Sequence, residues 1–126
     1  MQSNINTGRT RELGIGETEI ERRGLKLNCK APLTAVASID DAVVAGFGDG
    51  SLTFFRPSLA PVSKNIHKGV ILCMTEYKNG FVSGGDDGRF LAITTNGDTT
   101  EIADFGTKWV DCVAASDEIV ACSSGS

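Results

Sequence analysis

Few residues in this chain have the types and spacing to do chemistry. A single histidine, His67, precedes an apolar run, and 16 residues on comes "SGGDDGRF", Ser83 to Phe90. Two adjacent carboxylates, Asp86 and Asp87, sit there between glycines. Such a stretch suits a calcium loop, a catalytic carboxylate pair, or a tight turn held by an aspartate. A calcium loop of the EF-hand type alternates oxygen ligands and ends in Glu, and "DDGRFLAITTNG" does neither. A catalytic pair needs carboxylates on facing elements, whereas neighbours in an extended chain point apart. No motif sets a nucleophile beside His67: there is no G-x-S-x-G and no phosphate loop. "GFGDG", residues 46–50, imitates a nucleotide fingerprint but opens onto a β-type run rather than a helix. The four cysteines (Cys29, Cys73, Cys112 and Cys122) form no C-x-x-C pair, which leaves no zinc site. They read as reduced, buried thiols of a cytoplasmic protein. The expectation is no catalytic residue, no metal and no cofactor; the turn remains.

Bulk properties narrow the class further. The 126 residues suit one ordinary domain. The net charge of -4 argues against a general nucleic-acid partner. Residues 1–30 carry six Lys/Arg against four Glu, and the remaining 96 carry six against twelve acidic residues. The basic excess at the front is too thin to grip an anionic surface. No stretch of 18 apolar residues occurs, so no membrane span is expected, and the N-terminus lacks a signal-peptide core. Residues 1–30 are polar and aperiodic and read as a flexible leader, with room for a peripheral strand at its end.

From residue 31 the texture changes to short β-rich runs between turn signals. "TAVASI" (34–39), "AVVAGF" (42–47) and "SLTFFR" (51–56) are followed by "VILCMT" (70–75), "FVSG" (81–84) and "FLAIT" (90–94). "TTEIADF" (99–105), "VDCVAA" (110–115) and "EIVACS" (118–123) complete the set. Val, Ile, Phe and Thr suit a pleated surface, and Asn-Gly and Asp-Gly suit tight hairpin turns. No long stretch follows a helical period, so the chain reads as antiparallel β throughout. Sliding it by 38 superposes Val44 on Val82, Gly46 on Gly84, Asp49 on Asp87 and Gly50 on Gly88. Apolar positions follow, Leu33 onto Ile71 and Leu52 onto Phe90 among them. A third copy starts at Trp109, aligned with one residue fewer in its turn. The repeats run at about 33–70, 71–108 and 109–126.

A four-strand repeat of this length, with Gly-x-x-Asp-Gly before an apolar strand, resembles the WD40 β-propeller family over residues 31–126. The sharpest likeness is His67 to Ile93, together with "TKWVD" at 107–111, as in bacterial single-propeller members. The Trp-Asp dipeptide is missing: Ile93-Thr94 and Phe55-Arg56 stand in its place, which marks a divergent member. The resemblance implies antiparallel four-stranded propeller blades, here incomplete, about two plus the start of a third. It also implies that Asp87, with Asp49 as its counterpart, accepts hydrogen bonds from its own turn and from His67, with Ser83 in the same clamp. An aspartate can bond backbone N–H groups two residues on, and Gly50 and Gly88 supply the left-handed conformation that closes such a turn. A propeller closes with about four to eight blades, so the chain reads as the N-terminal portion of a longer protein or a truncated product.

By that resemblance the function is non-catalytic: a protein-interaction scaffold or a fragment of one, with an unidentified protein partner. Two alternatives stand beside it. One is a small-molecule-binding or hydrolytic propeller enzyme, for which the inner strands offer only Asp111. The other is a stub without independent function, open to self-association through its unpaired edges. Lys108 and Trp109 are the candidate partner contact, because a Trp beside a cation is common hot-spot chemistry; the competing role for Trp109 is core filler at a strand start.

Overall fold

The computed structural model describes residues 30–125. The expected leader, residues 1–30, falls outside them apart from Lys30, as does Cys29. Ten strands follow one another: β1 (Leu33–Ile39), β2 (Ala42–Phe47), β3 (Ser51–Phe55), β4 (Val62–Asn65), β5 (Ile71–Tyr77), β6 (Gly80–Gly85), β7 (Arg89–Thr94), β8 (Thr99–Asp104), β9 (Trp109–Ala115) and β10 (Val120–Gly125). They make three antiparallel sheets in sequence order, β1–β4, β5–β8 and the β9–β10 hairpin. There is no helix among the described residues, and so none long and apolar enough to cross a membrane.

The runs read from sequence become strands, and one further strand appears. β4 is "VSKN", exposed at every position, so no alternation announces it. It forms because β3 offers an unsatisfied edge, which Val62 to Asn65 close in register with Phe54 to Ser51. The tight turns β1–β2 and β5–β6 each use two residues. The left-handed position is Asp40 in one and Lys78 in the other, at φ 50° and 52°. In the "KNG" turn Gly80 is therefore needed for space rather than for conformation, since a Cβ there would run into the Ile93 backbone carbonyl on β7.

Each sheet carries the same irregularity. The first strand is bulged against the second at Thr34, at Leu72 and at Asp111. Ile71 pairs with Gly85 and Val110 with Ser124, which matches Val110 to Ile71 rather than to Val70. The third turn is thus no shorter than the second. The extra residue lies instead in the loop before β9, where Phe105 repeats the backbone bond of His67, while Val110 stands 39 residues beyond Ile71.

The sheets stack face to face, each on the next. Ile39, Val44, Leu52 and Phe54 of the first meet Ile71, Phe81, Leu91 and Ile93 of the second. Val82 and Phe90, on the far face of the second, meet Val110 of the hairpin. The alternation along β6 makes this possible: Phe81 points one way and Val82 the other, so one strand serves two cores. Gly84 sets the spacing, since a Cβ there would lie 2.5 Å from the Val110 backbone oxygen.

Candidate functional site

The turns between the second and third strands lie at one end of the sheets, and the loops entering the next sheet are hydrogen-bonded to them. The Gly50 carbonyl accepts from the N–H groups of Ile66 and His67, and the Gly88 carbonyl accepts from Phe105 N–H. Gly50 and Gly88 hold φ of 87° and 80°, the left-handed region that glycine occupies without cost.

On this scaffold the second sheet builds a polar cluster. The Asp87 carboxylate accepts from the Arg89 N–H at 3.1 Å, the Lys68 N–H at 2.9 Å and His67 Nδ1 at 2.9 Å. On the other side of the ring, Nε2 lies 2.8 Å from Ser83 Oγ. Because a carboxylate only accepts, Nδ1 carries the proton and the Ser83 hydroxyl donates to Nε2. Burial is the larger influence on His67 and holds its pKa below the ordinary 6.5, against the pull of Asp87, so the ring is neutral. Burial also opposes the charge of Asp87, but the Lys68 N–H, His67 and the Arg89 N–H together outweigh it and keep the carboxyl below the usual range. Asp86 joins in: its Oδ1 accepts from the Val70 N–H at 2.9 Å. The two carboxylates thus grip one loop, 67–70, rather than diverging to separate partners as adjacent extended residues would.

Ser83–His67–Asp87 has the order of hydrogen bonds found in a nucleophile–base–orienter triad. A hydroxyl does stand beside the histidine, although no motif announces it. The chemistry is closed off by access: Ser83 is 0% exposed and lies under the sheet stack. A substrate carbonyl has no path to Oγ, and what the three side chains can do is fasten a loop to a strand and a turn.

Protonation tests that arrangement. His67 has its pKa lowered in the fold, so the unfolded chain takes up the proton first. Stability is full above about pH 6.5 and is lost as pH falls from there toward the folded value. Asp87, also lowered, adds a second loss below about 3.8. We expect the melting temperature to be level above neutrality and to decline as pH falls below about 6.5. His67 is the single histidine, so His67→Gln removes that decline and keeps the acidic one. A melting temperature unchanged from pH 7 to 5 in the unmodified chain contradicts the arrangement.

The other expected residues fall elsewhere. Asp49 is exposed, and its Oδ1 accepts from Ser51 N–H and Ser51 Oγ, which lowers its pKa. Ala45 occupies the position of Ser83 in the first sheet, so that position offers no hydroxyl. Arg89, just after the turn, is held as well: its Nε pairs with Glu101 Oε1 at 3.0 Å. Trp109 is 52% exposed, which corrects the core-filler role, and Lys108 beside it is also exposed. Their loop is shaped by Asp104, whose Oδ1 accepts from the Gly106 N–H. The thiols are not all buried either: Cys112 is exposed, and Cys73 and Cys122 are half-buried. Burial pushes the Cys73 thiol up to about 11, so it is unreactive. No cluster of metal ligands exists among the described residues.

No family model matches the chain, and no curated protein matches it. Among solved structures it is similar to the crystal structure of the computationally designed Ika4 protein, at 22% identity and a TM-score of 0.64. The match covers 79% of this chain and 66% of that one, and at this identity the likeness is one of fold alone.

Proposed function

We propose that the chain is a non-catalytic interaction scaffold of the WD40-repeat type, its three sheets being successive propeller blades, the last incomplete. The observation that carries the proposal is the contrast at the start of β9. Val110 is sealed in the core, while Trp109 beside it, the first residue of β9, is more than half exposed where the strand leaves a loop anchored by Asp104 and the Gly88 turn. A large apolar side chain at the end of a braced loop, next to Lys108, is a rigid anchor for a protein partner. The polar cluster supports the same reading, because it spends its histidine, serine and aspartate on holding the neighbouring loop of that end. The alternative of a hydrolytic site has no reachable nucleophile in this cluster.

The test is retention by immobilised chain. Proteins captured from the source cell by the unmodified chain should be held roughly 30-fold more weakly by Trp109→Ala, about 2 kcal/mol, with the melting temperature nearly unchanged. Equal retention by both baits, or loss of the fold in the variant, refutes the assignment.

A further inference from the structure

We propose that the outward face of the first sheet, formed by Leu33, Val36, Val43 and Phe55, docks the outward face of the β9–β10 hairpin of a second copy of this chain. The argument rests on repetition. The shared bulge and the pairings place Leu33, Val36, Val43 and Phe55 in the positions of Ile71, Met74, Phe81 and Ile93. Those four, together with Leu91, are the side chains with which the second sheet covers the first. Val110, Val113 and Val120 hold the first three of these positions in the hairpin, and they cover the second sheet. In the first sheet no described residue lies over the same set: Leu33, Val36 and Val43 are 59%, 57% and 49% exposed. An apolar row of this kind, flanked by Ser38, Ser51, Thr53, Ser63 and Asn65 and carrying no charge, is unusual on a surface unless something binds there.

The chain itself shows what fits such a row. In both internal interfaces the first strand of the receiving sheet offers small residues, beside the larger Val44, Leu52 and Phe54 in one case and Val82 and Phe90 in the other. Ala35 and Ala37 receive the second sheet, and Cys73 and Thr75 occupy the corresponding positions under the hairpin. The hairpin repeats those small residues on its own open face as Cys112 and Ala114 on β9, and on β10 Ala121 stands where the other sheets have Val44 and Val82, all three exposed. One open face therefore carries the knobs and the other the flat bed, and a second copy brings them together head to tail. Such a contact is heterologous, so it closes into a ring or extends, according to the rotation between copies. One residue moderates it. Ser123 stands where Gly84 admits Val110 in the second sheet, so the docked copy rides farther from the hairpin than the internal sheets ride from each other.

The experiment is sedimentation of the full chain against concentration, with three variants. The unmodified chain should associate at about 50 µM. Val43→Glu and Ala121→Glu should each be monomeric with unchanged melting, and an equimolar mixture of the two should form dimers and nothing larger, since each blocks one face and keeps the other. Ser123→Gly should tighten association several-fold. An unmodified chain that stays monomeric to about 200 µM overturns the proposal. Persistence of association in Ala121→Glu overturns the hairpin as the occupant. A monomeric chain whose melting temperature drops sharply in Val43→Glu shows the face to be covered within the chain and overturns it as well.

Discussion

Replacing Asp87 by alanine will cost about 3 kcal/mol of stability, the largest loss expected from any single carboxylate here. The carboxylate accepts from the N–H groups of Arg89 and Lys68 and from His67 Nδ1, all at 2.9–3.1 Å. Its removal strands the buried ring proton and two backbone donors, and a hydrogen bond to a charged group is worth about 1.5–3 kcal/mol. Water that enters the gap recovers part of this, so the sum is not additive. For a domain near this size each kcal/mol moves melting by roughly 4–8 °C, so the variant should melt about 10–20 °C lower. Asp49→Ala is the control. Asp49 occupies the same turn one sheet earlier, bonds within its own turn to Ser51 and is exposed, so its loss should leave melting nearly unchanged. Equal effects at the two positions would show that the turn, and not the His67 network, is what Asp87 supports.

Gly88→Ala should be at least as damaging. The position holds φ of 80°, where an alanine is strained by about 1 kcal/mol. The added methyl also meets the backbone of Gly106, which would push the loop out and stretch the bond from Phe105 N–H to the Gly88 carbonyl. Overpacking of this kind adds about 1–3 kcal/mol, for a total near 3 kcal/mol. Gly106→Ala separates the two contributions. It has a φ of 70° but open space around the missing Cβ, so it should carry only the strain. Denaturant midpoints that fall equally in both variants would mean that the clash is relieved without cost.

The fold class was legible because the apolar residues of the inner strands alternate and the glycine-aspartate turns recur at a 38-residue spacing. The parts that escaped had physical reasons. β4 has no buried side chain, so it is specified by the edge of β3 and not by its own residues. Sequence alignment sets the third sheet one residue out of register because its bulge holds Asp111, where the other two hold Thr34 and Leu72; a bulged residue is free of pairing and takes any type. The polar cluster was legible only in part. His67, Ser83 and Asp87 came from a family resemblance, whereas the role of Asp86 depends on where the loop 67–70 lies, which no spacing reports. Trp109 has a neighbour in Val110 that is fully buried, and two adjacent residues on a strand face opposite ways; which of the two faced water was decided by the bulge.

Among the described residues each sheet packs on the sheet before and after it in sequence, and the first shares no core with the hairpin. That makes the molecule a one-dimensional array, whose cooperativity comes from neighbour coupling. Its synthesis inherits the same order. The first sheet leaves the ribosome with its hydrogen bonds available but its core half empty, and the missing half arrives with the next 38 or so residues. At about 5–20 residues per second that wait lasts roughly 2–8 seconds. Val44, Leu52 and Phe54 are bare during it, so the interval in which a nascent chain is open to wrong partners is set by the length of one repeat.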